Sequence, residues 1–480
     1  MTVRTRIVII GGGFAGTATA LNLEKKYRRD SSVEITLIDS ENYFTFTPLL
    51  AGVPSGSVQP THIVFPLRAL LKRTLVKQAE VKRIDLETRT VIAAHCDVCG
   101  NEVYPFDQLV LASGSVPNFF GLPGVADHAL TMKSLADATA LHAHVIDQLE
   151  HADLQSHPNV RRQLLTFVVA GGGFAGVETL AELNDFVRGA RRFYPNISPD
   201  DVRMVLIHSG NRILPEVSES LSAYALRKLG SRGVEVLLET RVLGSTGNSV
   251  RLSSGEELPA ATFIWAAGTA PSPILARLDL PRTKAGKIEV DATMAVVGHP
   301  GIWAVGDSAA IPDVITGGFC PPTAQYALRE GKRLAQNIAA SLDGRETKPF
   351  KFKSLGLLAG LGHHSAVAEI LGFKFSGFIA WWLWRTIYLM KLPGFERKLR
   401  VALDWTLDLF FPRDTVYLRP SHATDRPAAV PQGHSAPGVE DLLTQIGRER
   451  PAPMIAAPSL KTATLTRSLV GGRRRAGNHQ

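Results

Sequence analysis

The sequence predicts an α/β fold: two Rossmann-like units followed by a C-terminal helical segment, on three observations. The hexapeptide GGGFAG occurs at 11–16 and again at 171–176. Each copy follows a short apolar run and precedes a stretch of helix-forming residues. Three further segments, YPFDQLVLASGS (104–115), TFIWAAGT (262–269) and GIWAVGDSA (301–309), each carry an apolar strand into a turn of small residues. Strands alternating with helices are the pattern of parallel sheets.

In the first unit, Ile7 to Ile10 is apolar and β-branched, as a buried parallel strand would be. Gly11, Gly13 and Gly16 then read G-x-G-x-x-G, and TATALNLEKKYR continues as a helix. The first glycine permits the tight turn. The second lets a diphosphate approach the backbone, and the third lets the helix pack on the strand. The next strand, Val33–Ile38, ends at Asp39, an acid placed to accept hydrogen bonds from a ribose.

The second unit repeats this plan. LLTFVVA (164–170) is the strand, Gly171, Gly173 and Gly176 form the turn, and VETLAELNDFVR is the helix. The following strand, 202–207, ends at His208, not at an acid. That leaves a 2′-phosphate open, with Arg212 or Arg203 near it.

A chain of 480 residues predicts two or three domains. Hydrophobic residues at 45% and charged residues at 20% are normal for a globular protein. The first strand begins so early that no signal or transit peptide is expected. Three cysteines are too few for a disulfide framework and suit a reducing compartment. The net charge of +9 favours anionic surfaces. No helix-turn-helix, zinc-finger or RNA-recognition pattern accompanies it, which argues for anionic lipid and against nucleic acid.

The order of the five motifs resembles the two-dinucleotide-binding-domain flavoproteins over residues 5–340. The resemblance implies that the first loop holds FAD, the second holds NADH, and Gly306-Asp307 lies near the flavin's ribityl-phosphate region. Many such proteins pass electrons to a cysteine pair after the first acid-ended strand. Here that stretch is DSENYFTFTPLLAGV (39–53) and holds no cysteine, so a thiol relay is absent. Cys96 and Cys99 form a lone C-x-x-C without a second ligand pair; the reading is a hairpin turn and no metal site. Cys320 reads as a small packing residue.

After Asp307, GGFCPPTAQYALREGKRLAQNIAA (317–340) turns helical, with Pro322 at its opening. Thr323, Ala324 and Gln325 then sit at the helix's positive end, facing a reduced flavin or a quinone oxygen, or forming an ordinary capping turn. NYFTFTPLL (42–50), GGGFAGVE (171–178), DFVRGARRFYPN (185–196), RILPE (212–216) and PPTAQYA (321–327) together resemble the type II NADH:quinone oxidoreductases. That family's quinone motif is A-Q-x-A-x-Q. Ala324, Gln325 and Ala327 match it, and Arg329 stands where the last Gln would be.

The resemblance implies a catalytic glutamate at Glu178, in the first helical turn after the second loop, and quinone contact at Gln325. Cofactor contacts are expected at Gly11, Gly13, Phe14, Ala15, Gly16, Asp39, Ser113, Gly114, Asp307, Ala324 and Gln325, and at Gly171, Gly173, Gly176, Glu178, His208, Ala267 and Gly268. The implied reaction takes a hydride from NADH to FAD and two electrons on to a membrane quinone, without proton pumping. The rivals are a flavoenzyme with another acceptor (a soluble diaphorase or a sulfide:quinone oxidoreductase) and a non-catalytic, nucleotide-sensing flavoprotein.

The expected domains are 1–115 with 292–345 for FAD, 116–291 for NAD(P)H inserted between them, and a membrane-associating region at 346–418. FSGFIAWWLWRTIYLM (375–390) would form a helix about 24 Å long, short of the ~30 Å hydrocarbon core. A second helix, 395–411, carries Phe395, Leu399, Leu403, Leu407 and Phe410 in one stripe beside Arg397, Lys398 and Arg400. With Trp381, Trp382, Trp384 and Trp405, this predicts a monotopic hairpin on the cytoplasmic face of the cell membrane. Packing on the catalytic domains and a homodimer contact are its alternatives. Residues 419–480, rich in Pro, Ala, Ser and Arg, read as a disordered tail with a short helix at 438–447.

Overall fold

The computed structural model describes residues 4–95 and 100–416. Cys96, Cys99 and the 419–480 tail lie outside the described residues.

Strand β1 (Thr5–Ile10) and helix α1 (Phe14–Lys26) flank the first glycine loop, and β2 (Val33–Asp39) follows. The first sheet runs 302–304, 108–111, β1, β2, 75–78, all parallel. Ile7, Ile9, Leu37 and Ile38 are fully buried because helices or loops cover both faces. The strand order reverses at β1, so a crevice opens at its C-terminal end, beside the glycine loop.

The second sheet has the same plan: β3 (Thr166–Ala170), α2 (Phe174–Ala190), β4 (Arg203–Ile207) and β5 (Thr262–Trp265). Its order is 130–131, β5, β3, β4, 234–237, again all parallel. The chain leaves the first sheet and returns to it through an antiparallel ladder pairing 115–117 with 269–271. The second unit is thus inserted in the first, since strand 302–304 comes after it in sequence but belongs to the first sheet.

Helix α3 (Ala324–Leu342) crosses α1 closely. Gly331 is what allows it: a Cβ there would strike the Ala15 carbonyl. The C-terminal region is not purely helical. A three-stranded antiparallel sheet, 356–360, 366–370 and 373–376, precedes the helices. Phe375 and Ser376, expected in a helix, end its last strand. Gly377, with φ +71°, turns the chain into α4 (Gly377–Lys391). Helix α5 (Phe395–Leu407) stops short of 411. No described helix is long and apolar enough to cross a membrane.

Candidate functional site

The three glycines of the first loop meet three different surroundings. A Cβ on Gly11 would strike the Ala112 carbonyl, and one on Gly16 would strike the Gly11 carbonyl. A Cβ on Gly13 would meet nothing within 4 Å. The outer two glycines are therefore demanded by the fold, whereas Gly13 faces the open crevice that a diphosphate needs. Asp39 closes the loop's far side, accepting the Gly12 N–H at 2.5 Å and the Glu41 N–H at 2.7 Å. Burial raises its pKa and the two N–H groups oppose that.

The Gly306-Asp307 turn sits against this loop: a Cβ on Gly306 would lie 3.1 Å from the Ala15 side chain. The Ser115 hydroxyl donates to Asp307 at 2.5 Å, and Lys133 lies 3.5 Å from the same carboxylate. The Gly114 N–H donates to the Ser308 hydroxyl at 3.0 Å, with the Ser113 hydroxyl 3.3 Å from it. Phe14 packs edge-on against Phe44, centroids 4.8 Å apart. Behind the turn is Glu330, 2% exposed, whose carboxylate accepts the Gly306 N–H at 3.1 Å. Burial pushes its pKa up to about 8, with Asp307 adding to the shift. At the start of α3 the Thr323 hydroxyl is buried without a hydrogen-bond partner. An open Gly13, a ribose-ready acid and an orphaned hydroxyl at a helix N-terminus together fit FAD.

The second loop matches it closely. Gly171 abuts the Ala266 carbonyl and Ala267 nitrogen, Gly176 abuts the Gly171 carbonyl, and Gly173 has only Glu216 near, at 3.9 Å. This cradle fits a second dinucleotide. His208 turns inward, its Nδ1 accepting the Gly172 N–H at 3.2 Å, and burial lowers its pKa. Both candidate arginines are already engaged within the chain. Arg203 is at the opposite end of β4, paired with Glu235 at 2.9 Å. Arg212 donates to the backbone carbonyls of Pro215 and Val217. Gly268 lies under the Phe120 ring, 2.7 Å from a Cβ built there.

Glu178 is not in the first turn of α2. It is the fifth residue of that helix, since helical geometry begins at Phe174. Its partners come from the C-terminal region: the Gly360 N–H at 2.8 Å and the Trp384 indole N–H at 3.1 Å. Burial pushes its pKa up to about 8, these two donors oppose that, and Glu182 adds to the rise. Tyr388 stacks edge-on against Trp384 at 5.1 Å and reaches Phe46 of the first unit at 6.3 Å. Gln325 is also tied to the C-terminal region. Its amide donates to the Ser354 hydroxyl at 3.0 Å and the Gly356 carbonyl at 3.2 Å.

Trp384, Tyr388, Lys133 and Glu330 escaped the sequence reading as site residues. Trp384 and Tyr388 lie in a segment whose apolar pattern reads as membrane-facing or as packing, and carries no sign of chemistry. The signal for Glu330 is an acid on the buried face of an amphipathic helix.

The hairpin's stripe is exposed: Phe395 is 81% and Phe410 76% accessible, while Val401 and Trp405 on the opposite face are buried. Phe378, Ile379, Trp382 and Met390 extend this apolar surface along α4. Of the four tryptophans, only Trp382 is mostly exposed; Trp405 is buried against Trp384. Arg385, the charge within α4, turns inward over Trp381 and Trp405, at 4.1 and 5.0 Å from their centroids. Arg413 pairs with Glu182 at 3.0 Å and Asp408 at 2.8 Å, tying the chain beyond α5 to α2. Burial pushes the Cys320 thiol up to about 12, as for a packed, unreactive residue.

The model for pyridine nucleotide-disulphide oxidoreductases matches residues 5–331, and that for the NDH2 C-terminal domain matches 355–414. The chain is 33% identical to a type II NADH:quinone oxidoreductase of Mycobacterium tuberculosis, over 84% of this chain and 88% of that one. It is 34% identical to a demethylphylloquinone reductase of Synechocystis sp., over 84% and 96%. Among solved structures, NDH2 of Plasmodium falciparum in complex with NADH shares the fold: TM-score 0.79, 22% identity, 86% of this chain and all of that one. The sulfide:quinone oxidoreductase of Aquifex aeolicus is less similar, with a TM-score of 0.63. The chain belongs to the type II NADH:quinone oxidoreductases, within the pyridine nucleotide-disulphide oxidoreductase family.

Proposed function

We propose that the chain oxidises NADH and reduces a membrane quinone through tightly held FAD, with no pumping step. The observation that carries this is the pair of diphosphate cradles, each with one glycine where an added Cβ would clash with nothing, on two sheets joined by a short ladder. Bound FAD supplies the electron chemistry, accepting a hydride and releasing two electrons.

The chain's own residues align and charge the site. Gly11, Gly13, Gly16, Asp39 and Asp307 would hold FAD, and Gly171, Gly173 and Gly176 would hold the nicotinamide nucleotide. Glu178, kept largely protonated near neutral pH, would hold a proton on its carboxyl where the second unit meets α4. Gln325 would position the acceptor's head while pinning 354–356. The engaged arginines, Arg203 and Arg212, favour NADH over NADPH.

Membrane attachment rests on the exposed row from Phe395 to Phe410 and its continuation on α4. Anionic lipid adds less than the basic count suggests. Arg400 already pairs with Glu396, and Arg397 donates to the Thr61 carbonyl. On this reading the chain sits on the cytoplasmic face of the cell membrane. A second copy of the chain is the other occupant for the same apolar face.

Stopped-flow absorbance tests this reading. NADH should bleach the flavin of the purified holoprotein rapidly, and a quinone should restore it. Bleaching without recovery would point to a different acceptor, and no bleaching to a non-catalytic protein.

A further inference from the structure

Arg329 lies on α3, one turn beyond Gln325. Its guanidinium folds back toward the helix start, donating to the Gln325 carbonyl at 2.8 Å. It also stacks over Phe352, 4.2 Å from the ring centroid. Gln325, meanwhile, binds Ser354 and Gly356. Arg329, Gln325 and the 352–356 segment therefore form one continuous face.

No acid balances this cation among the described residues. Burial lowers the Arg329 pKa and no carboxylate raises it. The charge felt by Lys391, at the end of α4, is Arg329 itself, a second cation. Of the other titratable groups on these elements, Lys332 and Arg333 on α3, Lys353 in the 352–356 segment and Arg385 on α4 are further cations, and Tyr326 and Tyr388 are neutral phenols. Of the acids, Glu330 on α3 accepts the Gly306 N–H and Glu178 on α2 is held by Gly360 and Trp384. Leu328, Leu355 and Met390, neighbours in sequence of these residues, are exposed and apolar. A partly desolvated guanidinium held against the Phe352 ring, with donors to spare and no counter-ion, is a ready partner for negative charge.

We propose that Arg329 receives the negative charge that develops on the quinone oxygen as it is reduced. This rests on the reading of Gln325 as lying at the acceptor site. Reduction gives the quinone two electrons, drawn from NADH, and two protons, and converts both carbonyls to hydroxyls. An oxygen that gains electron density ahead of its proton is an oxyanion. A fixed guanidinium donating to it removes the need for simultaneous protonation. A neutral amide at the same position could donate but could not neutralise.

The test uses the full-length, FAD-loaded protein with Arg329→Gln and Arg329→Lys. Three rates are followed by stopped flow: flavin reduction by NADH, reoxidation by a short-chain quinone across neutral and mildly alkaline pH, and reoxidation by ferricyanide. Ferricyanide takes electrons without forming an oxyanion. Arg329→Gln should leave the NADH and ferricyanide rates unchanged and slow quinone reoxidation about 100-fold, the scale of losing one oxyanion donor. Its quinone rate should also fall as pH rises, because a proton must now accompany the electrons. Arg329→Lys should recover most of the loss. A Gln variant with wild-type quinone rates and pH profile overturns the proposal, as does an equal loss with ferricyanide. Wild-type protein that no quinone reoxidises would instead overturn the acceptor reading itself.

Discussion

The Trp384 indole donates to the Glu178 carboxylate across 3.1 Å, joining residues 206 positions apart in the chain. The bond links the second dinucleotide unit to the C-terminal hairpin. It also holds down a pKa that burial has raised to about 8. Trp384→Phe removes this donor but keeps the ring. The Glu178 pKa should then rise further, and the alkaline limb of the kcat profile for quinone reduction should move to higher pH. Glu178→Gln should abolish that limb. An unmoved limb in both variants would remove Glu178 from the proton chemistry.

Glu330 makes a separate, measurable contribution to pH-dependent stability. Its folded pKa is raised from 4.5 to about 8, by burial first. Its neutral form is favoured in the fold, so its contribution is complete below 4.5 and is lost as pH rises through about 8. Glu330→Gln should flatten the fall in thermal midpoint over that window. Calorimetry on wild type and variant gives the comparison, and parallel curves would contradict it.

The glycines of the first loop should fail in different ways. The Cβ of Gly13→Val meets no protein atoms, so the variant should fold yet purify without flavin, its side chain occupying the diphosphate's place. Gly16→Val drives a side chain into the Gly11 carbonyl and should not fold. Circular dichroism and the flavin spectrum separate the two outcomes. A yellow Gly13→Val protein would exclude the first loop as the flavin cradle.

Gln325→Leu deletes both donors to the 354–356 segment. Two lost hydrogen bonds predict a destabilisation of about 1–3 kcal/mol. Flavin reoxidation by quinone should slow far more than flavin reduction by NADH. Equal slowing of both half-reactions would reduce Gln325 to a structural clamp.

The hairpin cannot be tested by simple truncation, because Leu392, Val401 and Trp405 belong to the main core and Trp384 binds Glu178. Replacing Phe395, Leu399, Leu403 and Phe410 with serine spares those contacts. This variant should keep its flavin and reduce ferricyanide with NADH, but no longer sediment with lipid vesicles. Each buried aromatic or leucine side chain lost is worth about 1.5–3 kcal/mol of membrane affinity. Retained sedimentation would assign the face to a second copy of the chain.

Local sequence by itself determined the two loops. A glycine needed where a Cβ would strike a neighbouring carbonyl, an apolar β-branched strand before it and a helix after it are all short-range constraints. Gly11, Gly16, Gly171 and Gly176 accordingly stand where the spacing puts them. The outward stripe from Phe395 to Phe410 was legible for the same reason, since helical period sorts residues onto faces. Only the tertiary structure decided which distant groups meet. Arg385 reads as a charge in a membrane-facing helix, yet it turns inward because Trp381 and Trp405 offer it ring faces and Asp408 lies 4.0 Å away. Arg203 opens β4 and His208 directly follows it, so strand direction puts them at opposite ends of the sheet. Glu178 takes its raised pKa from burial at a junction of α2, α4 and the 356–360 strand. No window of sequence contains those three elements together, so its electrostatics exist only once the chain has closed on itself.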